Sequence, residues 1–171
     1  MGYRTPTHDG KEASARMTPS VIAPPQTYAD WMSIFTLLKD KSDDELVLQA
    51  MQKGTITWQS GVAERFMKKL IDAINFRMNQ ATDQFQKEMT RSYGQERVIV
   101  RALLALRREL QFLTQVANIP AIPEQNRQKY IQLILDQADH IQHSLEDSSR
   151  SDRSGKLRSI IRTNPVNRLT E

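Results

Sequence analysis

Two histidines, His140 and His143, stand three residues apart late in the chain, and Asp136 and Asp139 each lie four residues ahead of one of them. On a helix this spacing gathers all four side chains on one face, and imidazole and carboxylate are both ligands that Zn2+ accepts. The set stops short of a metal site. The zincin spacing of two histidines around a Glu is absent, and no other cluster supplies a further ligand. The chain also has no cysteine, which removes thiolate ligands, disulfides and Cys nucleophiles together. A solvated polar face is the expectation, with no metal and no cofactor.

Glu64, Asp72, Asp83 and Glu88 could be imagined as an acid–base pair or as di-iron ligands. Ferritin-like sites need Glu-x-x-His motifs on two helices. Here the residue three before His140 is Gln137, and the residue three before His143 is His140. Gly54 and Gly61 flank Trp58 without forming a glycine-rich phosphate loop. Ser60-Gly61 and Ser154-Gly155 lack the strand-to-helix context of a nucleophile elbow. No catalytic set survives, so the chain is not expected to be an enzyme.

The cations are more informative. Net charge is +4, and residues 149–171 hold 6 basic and 2 acidic side chains, against 15 and 16 in residues 26–148. The basicity therefore belongs to the C-terminal end, where Arg150, Arg153, Lys156, Arg158, Arg162 and Arg168 are expected to meet an anionic partner. Arg97, Arg101 and Arg108 share one side of a helix, with Arg107 adjacent. Together with Arg65, Lys68 and Lys69 they form a secondary basic face, whose plainer role is pairing with neighbouring acids. A short helix, a Gly54 turn and a following helix with Arg65, Lys68 and Lys69 have some helix-turn-helix character, although the second helix is far longer than a recognition helix.

What must position these groups is a set of helices. Ile99, Leu103, Leu106, Leu110, Leu113 and Ala117 fall at spacings of 4, 3, 4, 3 and 4, a helical stripe that Val98, Val100, Leu104, Ala105, Phe112 and Val116 widen around the circumference. A helix apolar that far round is central, with neighbours on more than one side. Thr27 and Asp30 make a capping box for a helix over about 28–40, and Ser42 with Glu45 makes one for a helix over about 43–53. A long stripe from Val62 to Met89 predicts a helix over about 58–91, broken at Gly94. Ile119-Pro120-Ala121-Ile122-Pro123 is a rigid link, and Ile131, Ile134, Ala138, Ile141 and Leu145 predict a last long helix. Leu157, Ile160 and Ile161 allow a short amphipathic helix over 156–162.

The expected fold class is all-α: an up-down-up bundle of three long helices with two short N-terminal helices packed on it. Residues 1–25, punctuated by prolines, form a disordered N-terminal segment. Residues 26–148 form the bundle domain and 149–171 a basic flexible tail. No apolar leader opens the chain and no segment is apolar enough to span a membrane, so a cytoplasmic location is expected. The order of helix, Ile119-Pro120 and a heptad-patterned helix ending in Leu145-Glu146-Asp147 resembles phasin-type proteins that coat storage granules. It does so over about thirty residues, on a pattern common among helical chains. The functional expectation is a non-enzymatic interaction protein, an adaptor or regulatory subunit. Its bundle would dock a protein partner or a second copy, and its tail an anionic one. A nucleic-acid-binding regulator, gripping DNA or RNA through the tail, is the competing expectation, and a phasin-like granule or interface coat is the third.

Overall fold

In the computed structural model, which describes residues 21–57, 61–92 and 94–170, helix α1 (Tyr28–Asp40) begins on the expected capping box. Thr27 Oγ1 accepts from the Asp30 amide, and the Asp30 carboxylate accepts from the Thr27 amide at 2.9 Å. At the other end Lys41 takes a left-handed φ of 52°, and the Ser42 amide donates to the Leu37 carbonyl. Ser42 is thereby consumed in closing α1. The cap of α2 (Asp44–Lys53) falls one residue later, on Asp43, whose carboxylate accepts from Leu46 N. The Ser42–Glu45 box expected from sequence does not form, because one residue cannot both finish a helix in this way and cap the next.

Trp31 organises this end of the molecule. Its ring is fully buried, its Nε1 donates to the Thr55 carbonyl at 2.9 Å, and Phe35 and Phe66 lie with ring centroids 5.9 and 5.1 Å away. Thr55 N in turn donates to the Pro25 carbonyl, so the chain before α1 is tied down at a buried Pro25. This corrects the disordered-segment expectation over 21–25; residues 1–20 lie outside the described residues. The expected start of the long helix at Trp58 also lies outside them.

That helix, α3 (Val62–Arg91), is followed by α4 (Glu96–Ala117), α5 (Glu124–Ser148), a 3-10 turn at Ser149–Ser151 and α6 (Lys156–Thr163). The described residues contain six α-helices and no strand. Gly94, at φ 78°, supplies the turn between α3 and α4. Arg77 reaches Glu109, while nearer the turn Phe85 and Ala81 share a notch with Ala102 and Leu106. The two helices therefore run antiparallel. The stripe of α4 is as central as its width predicts: α4 packs against α2, α3, α5 and α6, while α1 lies along α3. Leu103, Leu106, Leu110, Leu113 and Val116 are all buried, each contributing about 1.5–3 kcal/mol by leaving water. Ile119 and Ile122 carry the core through the link into α5.

The largest departure from expectation is the C-terminal end. Residues 149–170 are not a flexible tail. Ile161, Val166 and Leu169 are buried in the same core, α6 packs on both α4 and α5, and the Val166 amide donates to the buried Gln142 side chain at 3.0 Å. Asn167 adds a hydrogen bond to Asp139 at 2.8 Å. The segment is too polar to make a core of its own, but it does not need one. Its few apolar residues complete a surface that α4 and α5 leave open. No helix among the described residues is long and apolar enough to cross a membrane.

Candidate functional site

The most deeply enclosed polar group is Arg77 on α3, with no exposed surface. Its Nε donates to Glu109 Oε1 at 2.6 Å, its Nη1 and Nη2 form a fork on the two Asp44 oxygens at 2.7 and 2.9 Å, and Nη1 also donates to the Leu38 carbonyl at 2.9 Å. The Phe112 ring lies under the guanidinium, 4.9 Å to its centroid, and Lys41 Nζ stands 3.7 Å from Glu109. Burial opposes the charge of Arg77. The hydrogen bonds from Asp44 and Glu109, and the negative charge of both, outweigh it and raise the pKa above the ordinary arginine value. Such a guanidinium neither gives nor takes a proton at any working pH. The cluster joins the end of α1, the start of α2, the middle of α3 and α4 through one side chain, with cations and carboxylates in balance. It is a structural joint.

Arg77 belongs to no motif in the sequence. A signal was present: Arg77 stands four residues from Ala73 and from Ala81 and three from Ile74, all buried, so a charge sits inside the apolar stripe of α3. What the stripe could not show is where its partners come from, since Asp44 and Glu109 are distant in sequence.

The imagined acid and histidine sites stay dispersed. Among the described residues no group of three or more His, Cys, Asp or Glu could hold a metal ion. Glu64, Asp72 and Asp83 are exposed along α3 and Glu88 is half-buried. His140 and His143 are exposed, and the ring Nδ1 of His143 is engaged by the Asp139 carbonyl at 2.7 Å. His140 stands on the rim of a groove of about 540 Å3 between α3 and α5. Phe85, Met89, Ile141 and Leu145 make its apolar part, and Thr82, Gln86, Gln137 and Ser144 are among its polar lining.

The basic residues fall into separate places. Arg150 pairs with Asp147 at 3.1 Å, and Arg168 is exposed beside the buried Leu169. Arg153, Lys156, Arg158 and Arg162 are exposed on α6 or just before it. The helix itself contains no acid, and Asp152 before it is held below the usual carboxylate range, first by the Leu157 amide and then by Ser154. Three of the six cations expected on a tail, Lys156, Arg158 and Arg162, are thus presented on an anchored amphipathic helix, with Arg158 and Arg162 on one side while Ile161 faces the core.

The secondary basic face is split. Arg65, Lys68 and Lys69 are exposed in the first turns of α3, at the end of the antiparallel pair away from Gly94. Arg97 and Arg101 are exposed in the first turns of α4, at the Gly94 end, and Arg108 is exposed just past its middle. At ~1.5 Å per residue the two groups are separated along the pair by roughly 15 Å, from Lys69 to Arg108, up to roughly 40 Å, from Arg65 to Arg97, so one short ligand does not span them all. The α4 group instead flanks half-buried Val100 and Leu104, and the five residues share one open side of the helix with Glu96 and Ala105. Comparison with protein-family models, with curated proteins and with solved structures finds no match for this chain.

Proposed function

We propose that this chain is a non-enzymatic helical interaction protein, an adaptor or regulatory subunit acting in the cytoplasm. It docks a protein partner through its bundle and an anionic partner through its basic C-terminal end. In this reading α3, α4 and α5 are the up-down-up frame and the short helices close its sides. The observation that carries it is the anchoring of α6. Ile161, Val166 and Leu169 hold the segment in the core, and Lys156, Arg158 and Arg162 stand outward without an acid on their own helix. Cations already ordered lose less entropy on binding than cations on a free tail.

Charge neutralisation at exposed positions tests the reading without removing core residues. The variant Lys156→Gln, Arg158→Gln, Arg162→Gln keeps the fold, and its affinity for an acidic polypeptide, a DNA duplex and a single-stranded RNA is measured by fluorescence anisotropy across a salt series. Affinity at least tenfold below that of the unaltered protein supports the reading; equal affinities for all three probes refute it. A nucleic-acid regulator is the second reading, favoured by the packing of α6 against α4, which adds Arg97, Arg101 and Arg108 on a neighbouring helix. It requires the log–log salt slope on duplex DNA to become shallower by about 3 when three phosphate contacts are removed.

A further inference from the structure

The stretch of α4 from Arg97 to Arg108 carries a surface that the fold does not use. Arg97, Val100, Arg101, Leu104 and Arg108 recur at helical spacing along one outward side. Val100 and Leu104 are half-buried but lie outside the cluster of apolar side chains packed on the core. Arg97, Arg101 and Arg108 form no ion pair with any described residue. The other α4 carboxylate near them, Glu109, is held by Arg77 and Lys41, which leaves Glu96 as the one acid on the rim. Elsewhere on α4 the apolar positions are covered by α2, α3, α5 and α6.

We propose that this face of α4 is the docking site for an acidic amphipathic helix of a partner protein. Val100 and Leu104 receive two apolar side chains one turn apart, and Arg97, Arg101 and Arg108 receive the carboxylates that flank them. Charge complementarity decides the occupant. Three arginines around two aliphatic side chains match a helix with an apolar seam and acidic flanks. Arginine forks on carboxylates fix its register. A nucleic acid would use the arginines and leave Val100 and Leu104 without a counterpart. The inference rests on the adaptor reading and names the protein partner's chemistry.

The test is selection of helical peptides from a displayed library against the full chain, followed by titration of the enriched peptides. The expected result is enrichment of peptides with paired apolar positions flanked by Asp or Glu. Their binding should weaken at least tenfold in Arg97→Gln, Arg101→Gln, Arg108→Gln and in Leu104→Ser, with circular dichroism unchanged. Arg101→Glu should reject the acidic peptide and regain a partner peptide in which the contacting Glu is exchanged for Lys. Enrichment of basic or extended peptides, or binding indifferent to these four positions, overturns the proposal. So does a DNA duplex that binds through the same arginines but is unaffected by Leu104→Ser. So does a shift to a smaller species in sedimentation on Leu104→Ser, which makes the occupant a second copy. The Lys156→Gln, Arg158→Gln, Arg162→Gln variant should keep the peptide affinity within about twofold, so a failure of the α6 reading leaves this one standing and the reverse also holds.

Discussion

Replacing Arg77 should be among the costliest single changes in this protein, because its buried guanidinium holds Asp44, Glu109 and the Leu38 carbonyl together. Arg77→Ala removes a fully buried guanidinium with four hydrogen bonds and leaves Glu109, whose side chain is 15% exposed, facing the gap. Breaking a buried ion pair from one side costs about 3–5 kcal/mol because the other charge is stranded. Asp44 contributes less to that figure, since its side chain is 38% exposed and can turn to water. Loss of the stacking on Phe112 adds up to about 1 kcal/mol. Against a typical total of about 5–15 kcal/mol, Arg77→Ala should lose about 4 kcal/mol. Arg77→Lys keeps the charge but not the fork, and should lose about 2. The double change Arg77→Met, Glu109→Leu removes both members of the more buried pair and should recover to within about 1 kcal/mol of the unaltered protein. Urea unfolding followed by far-ultraviolet circular dichroism, with the slope checked for constancy, measures all three. A loss below about 1 kcal/mol for Arg77→Ala, or a double variant less stable than the single, would refute the view of Arg77 as the charge-balanced joint of α1, α2, α3 and α4.

Gly54→Ala should cost about 1–3 kcal/mol by the same assay, because the new Cβ would stand 2.6 Å from the Trp31 ring and 2.8 Å from Pro25, neither of which has room to move. Truncation after Ser149 should lower the unfolding midpoint markedly, since it deletes buried Ile161, Val166 and Leu169 and strands the Gln142 carbonyl; a truncated chain as stable as the full one would return the segment to the status of a loose tail. The Asp30 carboxylate, which accepts from the Thr27 and Gln26 amides, is held below the usual carboxylate range. Its contribution to α1 is therefore complete above the unfolded-state pKa and is lost as pH falls through the lower folded value. Carbon-13 titration of the Asp30 carboxyl should show a midpoint below that of an unfolded chain, and a midpoint at or above it would contradict the capping geometry.

Much of this molecule is legible without coordinates. The stripe from Ile99 to Ala117, the capping box at Thr27 and the stripe from Ile131 to Leu145 mark helices, because amphipathic spacing and helix ends are local properties of consecutive residues. The width of the α4 stripe points to neighbours on several sides, which α2, α3, α5 and α6 supply, although Val100 and Leu104 stay outside the packed core. The expectation of no metal site was also local in origin, since no spacing of His, Cys or acids in the sequence reaches a recognised pattern. What the tertiary structure alone decided involves residues far apart in the chain. Gly54 closes α2 at an ordinary φ of −69°, and it is glycine because Trp31 and Pro25 occupy the space of a side chain. Arg77 was one more charge on a long helix until Asp44 and Glu109 arrived from two other elements. Residues 149–170 read as a free basic tail because their own apolar content is too small to fold. The hydrophobic surface that Ile161, Val166 and Leu169 complete belongs to α4 and α5, and burial is a property of that assembled surface, which local spacing does not encode.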